Sequence, residues 1–397
     1  MITPLLPTYA RMPVAFERAE GMYMYDTNGK KYLDFYSGIG VMCLGHCHPT
    51  LVNALKDQAD KLWHTSNIYQ IPEGERLAQR LIDASFADTV FFTNSGAESI
   101  ECAIKMVRKY HHDKGNKGRY RMITMASAFH GRTLAGIAAA GQEKMIAGFE
   151  PVPDGFDVVP FGDLEAVKAA ITPETGGIMV EPVQGEGGIR PLPLETLRGL
   201  REIADENNLL LVFDEIQCGM GRTGKLWAHE WAGINADIVT AAKGIGGGFP
   251  MGACLATEEA ASGMVVGTHG TTYGGNPLAM AVGNAVLDEM LKPEFFEHVV
   301  KMGEMLFARL QGLQQRHSNF VSEVRGSGLM AGIRLPDVPT RPAVTDLISR
   351  GFCPAPAGDS VIRMLPPLIL DESHIDEAVS IFDEAFTDWA KNGVPGV

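Results

Sequence analysis

A chain of 397 residues, 45% of them apolar and 21% charged, has the composition of a soluble globular enzyme with a sizeable core. Its formal net charge of −14, with no offsetting basic cluster, excludes a nucleic-acid backbone or an anionic membrane surface as partner. No apolar run approaches the ~20 residues of a membrane helix, and the opening MITPLLPTYARMP lacks an apolar secretory core, so a cytoplasmic protein is expected.

In chain order, MYMYD (Met22–Asp26), a turn at Asn28-Gly29 and KYLDF (Lys31–Phe35) form short strand-like segments. The middle then alternates strands and helices. Strands are predicted at TVFFTN (Thr89–Asn94), RMITMA (Arg121–Ala126), GIMVEP (Gly177–Pro182), LLLVFD (Leu209–Asp214), DIVTAA (Asp237–Ala242) and GACLA (Gly252–Ala256). Between them lies helical periodicity, as in Ile100, Ala103, Ile104 and Val107 on one face. Such alternation implies an α/β fold with a largely parallel sheet covered by helices. After Asn276-Pro277 two helical stretches follow, about 278–291 and 293–316, then short strands, a helix near Ala343–Arg350 and an amphipathic helix from about Glu372 to Ala390. We expect residues 46–280 to form a large domain and 281–397 a smaller α+β domain, completed by residues 1–45.

Two features carry chemistry. Lys243 ends the strand DIVTAAK and enters the glycine-rich GIGGG, while Asp214 ends the strand LLLVF. A lysine and a carboxylate at strand ends fit a pyridoxal-phosphate enzyme: the lysine forms an imine with the aldehyde, and the acid keeps the pyridine nitrogen protonated. Ser95-Gly96-Ala97, between a strand and a helix, can offer backbone N–H groups to a phosphate or can be an ordinary helix cap. Beside Lys243 and Asp214, the phosphate reading prevails. Phe129 can lie on a cofactor ring and Arg132 can grip a carboxylate, although a packed aromatic and a surface cation account for them equally. Glu181 and Glu186 sit on a loop after a strand, where a parallel sheet places its ligand crevice; a solvated turn is the plain alternative.

Other patterns are weaker. Gly219–Lys225 matches a dinucleotide fingerprint and most of a P-loop, which would suit a nucleotide-binding dehydrogenase. Leu226 stands where a P-loop needs a hydroxyl, and no suitable helix follows, so a structural loop is expected. Cys43, His46, Cys47 and His48 are too tightly spaced for one tetrahedral ion, so no metal is expected; the six cysteines read as free thiols.

Taken together, NSGAES, AFHGRT, EPVQGEGG, FDEIQCGMGRTG, AAKGIGGGFPMGA and GTHGTTYGGNPLA resemble the class III (ω-amino acid) aminotransferases of fold-type I, in family order from about residue 30 to 280. The resemblance implies a mainly parallel seven-stranded sheet flanked by helices, pyridoxal phosphate as cofactor, and a homodimer with its active site at the interface. It gives Lys243 the cofactor imine and the proton transfer, Asp214 the pyridine nitrogen, Gln217 the region of the ring hydroxyl, and Phe129 the stacking face. Ser95, Gly96 and Ala97 would hold the phosphate, with Thr272 reaching it from the neighbouring subunit. Arg132 would bind a substrate carboxylate with Thr271 beside it, and Glu186 would pair with Arg363. The short chain and GTHGTTYGGNPLA lean towards N-acetylornithine as donor, with 2-oxoglutarate as acceptor and glutamate as product. Succinylornithine, ornithine and 4-aminobutyrate are the alternatives. Family members acting on ornithine place a tyrosine about where this chain has Ile39, which favours an acylated or headless donor.

Overall fold

The computed structural model describes residues 4–394. Three short strands open it, β1 (Phe16–Glu20), β2 (Tyr23–Asp26) and β3 (Lys31–Asp34), in an antiparallel meander. The middle of the chain contributes β4 (Thr89–Thr93), β5 (Arg121–Met125), β6 (Phe156–Val159), β7 (Thr175–Val180), the two-residue strands β8 (Val183–Gln184) and β9 (Arg190–Pro191), β10 (Leu210–Asp214), β11 (Ile238–Ala241) and β12 (Gly252–Ala256). Seven of these form the central sheet, in the order β4-β12-β11-β10-β7-β5-β6. Six run in one direction and β12 alone runs against them. The mainly parallel seven-stranded sheet that the family resemblance implies is therefore present.

The aliphatic runs explain the layering. Every residue of β7, β10, β11 and β12 is buried, as expected of strands covered on both faces. The helix Gly96–Asp113 turns Ile100, Ala103, Ile104 and Val107 into the core. Asn276 caps the helix Pro277–Met290 through its side-chain oxygen, which accepts from the Ala279 N–H at 2.9 Å, and Pro277 fills a first-turn position that needs no donor. β6 was not predicted. It is a four-residue edge strand whose residues are mostly half-exposed, so it lacks the apolar run that marks its neighbours.

The C-terminal part holds β13 (Glu323–Ser327), β14 (Met330–Arg334), β15 (Phe352–Cys353), β16 (Ala355–Ala357) and β17 (Val361–Met364). β13, β14, β17 and β16 form an antiparallel sheet in that order, while β15 pairs in parallel with β3. The Leu33 and Phe35 N–H groups donate to the Gly351 and Cys353 carbonyls, at 2.8 and 3.0 Å, so the first strands and the last sheet elements are stitched together.

The Gly219–Gly224 segment is a packed loop. Arg222, 2% exposed, donates to the carbonyls of Leu329 and Pro366 and so ties the segment to the C-terminal part. The cysteine–histidine cluster scatters to unrelated partners: Cys43 Sγ bonds the Gly244 carbonyl at 3.1 Å and His46 Nε2 bonds Asp34 at 2.7 Å. All six cysteines are free. Among the described residues no helix is long and apolar enough to cross a membrane.

Candidate active site

The parallel strands end together, and the loops leaving them meet in a cavity of about 480 Å³. β4 delivers Ser95, Gly96 and Ala97; β5 delivers Phe129 and Arg132; β7 delivers Glu181; β10 delivers Asp214 and Gln217; β11 delivers Lys243. Antiparallel β12 starts at the same edge and brings Met251. The crevice outside the carboxyl ends is where an open α/β sheet binds ligands.

Lys243 has φ 51, a left-handed backbone that costs a residue other than glycine about 1–3 kcal/mol. Its surroundings enforce this: β11 precedes it and a 3₁₀ turn, Lys243–Gly246, follows at once. Burial, and then the positive charge of Arg363, push the amine down to about 8, against the opposing pull of Glu186, Asp214 and Glu181.

Asp214 is 3% exposed and held on both oxygens. Oδ2 meets His130 Nδ1 at 2.8 Å, and Oδ1 accepts from the Ile216 N–H at 3.1 Å and the Thr240 hydroxyl at 3.3 Å. Burial alone would lower the His130 imidazole, but the bond and charge of Asp214, with the charge of Glu181, outweigh it and raise the group. Burial lifts the Glu181 carboxyl well above the usual carboxylate range, with His130 opposing the rise. Glu181 also accepts from the Phe129 N–H at 3.0 Å, which fixes the loop carrying the Phe129 ring. Sequence reasoning assigned no role to His130. It lies 84 positions from Asp214, and only the sheet order brings the two strand ends near one another.

At the helix start, the capping turn also borders the cavity. Ser95 Oγ accepts from the Glu98 N–H at 3.3 Å, as a plain cap would, and the same turn lines the cavity. A Cβ on Gly96 would lie 2.8 Å from Ile216, so glycine permits the close approach of helix and β10 loop.

Glu186 and Arg363 come from separate elements, the β8–β9 hairpin loop and β17, and form an ion pair. Arg363 is 2% exposed and also donates to Gln217 Oε1 at 3.0 Å. Burial would raise the Glu186 carboxyl, but the Arg363 guanidinium outweighs this and holds it low. Arg132 is exposed, with its guanidinium 5.4 Å from the centre of the Phe129 ring. Thr271 bonds Asn94 Nδ2 at 3.2 Å and closes its own turn through the Gly274 N–H at 3.1 Å, while Thr272 is exposed on that turn. Within one chain, these two threonines do not line the lysine cavity.

A buried amine, a fixed carboxylate, an aromatic face and a helix N-terminus around one cavity fit pyridoxal phosphate in its aldehyde, ring nitrogen, ring face and phosphate.

The chain belongs to the class-III aminotransferase family, whose model matches residues 6–386, and this family depends on pyridoxal phosphate. Among curated proteins it is 55% identical over 378 residues to the acetylornithine aminotransferase of Mesorhizobium japonicum, covering 95% of this chain and 94% of the relative. Among solved structures it is similar to N-acetylornithine aminotransferase from Stenotrophomonas maltophilia K279a, with a TM-score of 0.84, 35% identity and coverage of 96% and 98% of the two chains. It also resembles the ornithine aminotransferase from Toxoplasma gondii described with partial occupancy of PLP at its active site, with a TM-score of 0.92, 28% identity and coverage of 96% and 92%.

Proposed function

We propose that this protein transfers the terminal amine of N2-acetyl-L-ornithine to 2-oxoglutarate, giving N-acetyl-L-glutamate 5-semialdehyde and L-glutamate, a step of arginine biosynthesis. The observation that carries the chemistry is a buried lysine amine, pushed down to about 8, in the same cavity as Asp214 and the Ser95 helix start. Near-full-length similarity to acetylornithine aminotransferases supports the choice of donor.

Pyridoxal phosphate, when bound, supplies an aldehyde that captures the amine and a ring that draws electrons from the substrate carbon. Lys243 would carry it, Asp214 would hold the ring nitrogen, Phe129 the ring face, Gln217 the ring hydroxyl region, and Ser95, Gly96 and Ala97 the phosphate. Once free, Lys243 Nζ would take the proton from the amine-bearing substrate carbon and deliver it to the carbon on the other side of the amine nitrogen, so that the proton is conserved in the transfer. Its lowered pKa makes the neutral, basic form accessible near neutral pH. His130 keeps Asp214 oriented through the 2.8 Å bond.

The two donors differ at the reacting carbon. Glutamate carries a carboxylate there, whereas acetylornithine carries only hydrogen and keeps its carboxylate at the far end. Arg132 would serve the distal carboxylate of both. Arg363 would serve the α-carboxylate of glutamate, and Glu186 neutralises Arg363 when that carboxylate is absent. An unpaired buried partner would otherwise cost about 3–5 kcal/mol. Ornithine is the second reading, favoured by the structural likeness to an ornithine aminotransferase. Against it, Ile39 packs on the apolar cluster of Val183, Ile189 and Leu365 and offers no polar atom to a free α-amino head.

The protein is expected to act in the cytoplasm as a homodimer, with Thr272 reaching the partner's phosphate site. Exposed Trp63, Ile68, Tyr69, Val266 and Tyr273, each at least 63% accessible, support an interface on that face. Initial rates on N-acetylornithine, succinylornithine, ornithine and 4-aminobutyrate, with 2-oxoglutarate as acceptor, test the reading. N-acetylornithine should give the highest kcat/KM, and a higher value for ornithine would overturn the assignment.

A further inference from the structure

Four successive residues shortly after β3 lie in the left-handed region: Ser37, Gly38, Ile39 and Gly40, with φ of 52, 60, 70 and 74. The glycines adopt it freely, but Ser37 and the β-branched Ile39 are held there against their own preference. Asp34, the last residue of β3, supplies the hold. It is fully buried, and its Oδ1 accepts from the Tyr36 and Ser37 N–H groups at 2.8 Å each. Its Oδ2 meets His46 Nε2 at 2.7 Å. A buried carboxylate is tolerated where such bonds satisfy it, and here both Oδ1 bonds go to the entrance of the strained turn. The strand behind it is fixed, because the Asp34 N–H donates to the Met22 carbonyl at 2.9 Å and β3 pairs with β15.

The turn leads straight onto the lysine loop. Val41 lines the cavity, and a Cβ on Gly248 would lie 3.0 Å from Met42 Sδ and Cε. The buried Cys43 thiol donates to the carbonyl of Gly244, the residue after Lys243, at 3.1 Å. Burial pushes this thiol up to about 12, with the Arg222 charge opposing, so it keeps its proton and its donor. Lys243 and Gly247 have φ of 51 and 53. Two stretches of left-handed backbone thus pack together, and Lys243 stands in the second.

We propose that Asp34 is a positioning residue for Lys243: it fixes the left-handed turn, the turn fixes residues 41–43, and these brace the loop that aims the amine into the cavity. The inference rests on the role given to Lys243 above and deepens it. Asp34 lines no part of the cavity and acts through the loop.

Capture of pyridoxal phosphate by the cofactor-free full chain, followed by stopped flow at one pH, reads how well the amine is aimed. Well below its melting transition, Asp34→Ala should slow capture about tenfold or more, the size expected of an ångström-scale misplacement. Asp34→Asn should restore most of the rate, because its Oδ1 can accept the same two N–H groups and its amide can donate to His46 Nε2. In the loaded enzyme the two half-reactions should slow together, with the KM for N-acetylornithine and for glutamate within about twofold of the parent. Cys43→Ala should slow capture about threefold and Cys43→Ser should recover it. Combined with Asp34→Ala, Cys43→Ala should add little, since both act on one brace.

A parental capture rate in Asp34→Ala, whatever its melting temperature, would overturn the proposal. So would failure of Asp34→Asn to restore the rate, or additive effects in the double variant. If Asp34→Ala does not fold, the two Cys43 variants decide, and parental rates in both would overturn it. Should Lys243→Ala still acquire the visible absorbance of lysine-bound cofactor, the role given to Lys243 fails and this proposal with it.

Discussion

The groups proposed for chemistry and those proposed for choosing the donor are built into this fold in different ways. Lys243 and Asp214 follow the adjacent strands β11 and β10, Ser95 follows the edge strand β4 of the same sheet, and each is set by backbone that the sheet itself fixes. Asp214 is held through three hydrogen bonds and Lys243 is clamped in a left-handed conformation. Glu186 and Arg363 instead belong to a hairpin loop and to a separate antiparallel sheet, and they meet across the gap between layers. One region is over-determined by its sheet and the other is a contact between two layers. In the proposed function the first would carry the bond changes and the second would choose between two unlike substrates.

The largest test of this contrast strikes the rigid region. Lys243→Ala should reduce turnover by about 10⁴-fold or more, because it removes both the nucleophile and the proton carrier. The purified variant should also lack the visible absorbance of lysine-bound cofactor. Its melting temperature should stay within a few degrees of the parent, since the substitution also removes a buried amine. Retained turnover would refute the role given to Lys243.

How much of this was legible in the sequence follows the same division. Lys243, Asp214 and Ser95 stood at the ends of apolar runs, and a parallel sheet forces such ends together, so their convergence needed only the strand pattern. The edge strand Phe156–Val159 was invisible because only Val159 of its four residues is buried and its run is short. His130 was hidden within AFHGRT, since nothing in spacing links it to Asp214. Arg363 was reached through family likeness alone, because a lone arginine in a buried strand, VIRM, carries no signal for the loop it will meet.

A middle-sized effect is expected where the two regions touch. Gln217 lines the lysine cavity and also accepts from Arg363, and Gly185 lies directly against it. A Cβ at position 185 would fall 2.0 Å from Gln217 Oε1, so Gly185→Ala must drive that side chain aside. Overpacking of this kind costs about 1–3 kcal/mol of stability. Arg363 would lose a partner as well, and glutamate kcat/KM should fall about tenfold or more, ahead of N-acetylornithine. Thermal unfolding and the two half-reactions measure the two parts separately. An unchanged melting temperature with unchanged kinetics would mean that Gln217 relaxes freely and does not couple the regions.

The smallest expected effect asks whether the Glu186–Arg363 pair tunes the Lys243 amine electrostatically. In the cofactor-free protein the Lys243 amine is pushed down to about 8 by burial first and Arg363 second, while Glu186 pulls it back up. Only the neutral amine attacks an aldehyde, so the rate of pyridoxal-phosphate capture should climb roughly tenfold per pH unit below the midpoint and level off above it. Stability should follow the same sign. The unfolded lysine stays protonated up to its ordinary 10.5, so between about 8 and that value the folded state binds fewer protons and gains stability as pH rises. Arg363→Met removes a repulsive charge and should move the capture midpoint to higher pH. Glu186→Gln removes an attractive one and should move it lower. Stopped-flow capture across pH 6 to 10, a range chosen to bracket the midpoint by roughly two units each way, reads both shifts. Midpoints that coincide in all three proteins would show that the donor-selecting pair does not reach the base, leaving the two regions electrically independent.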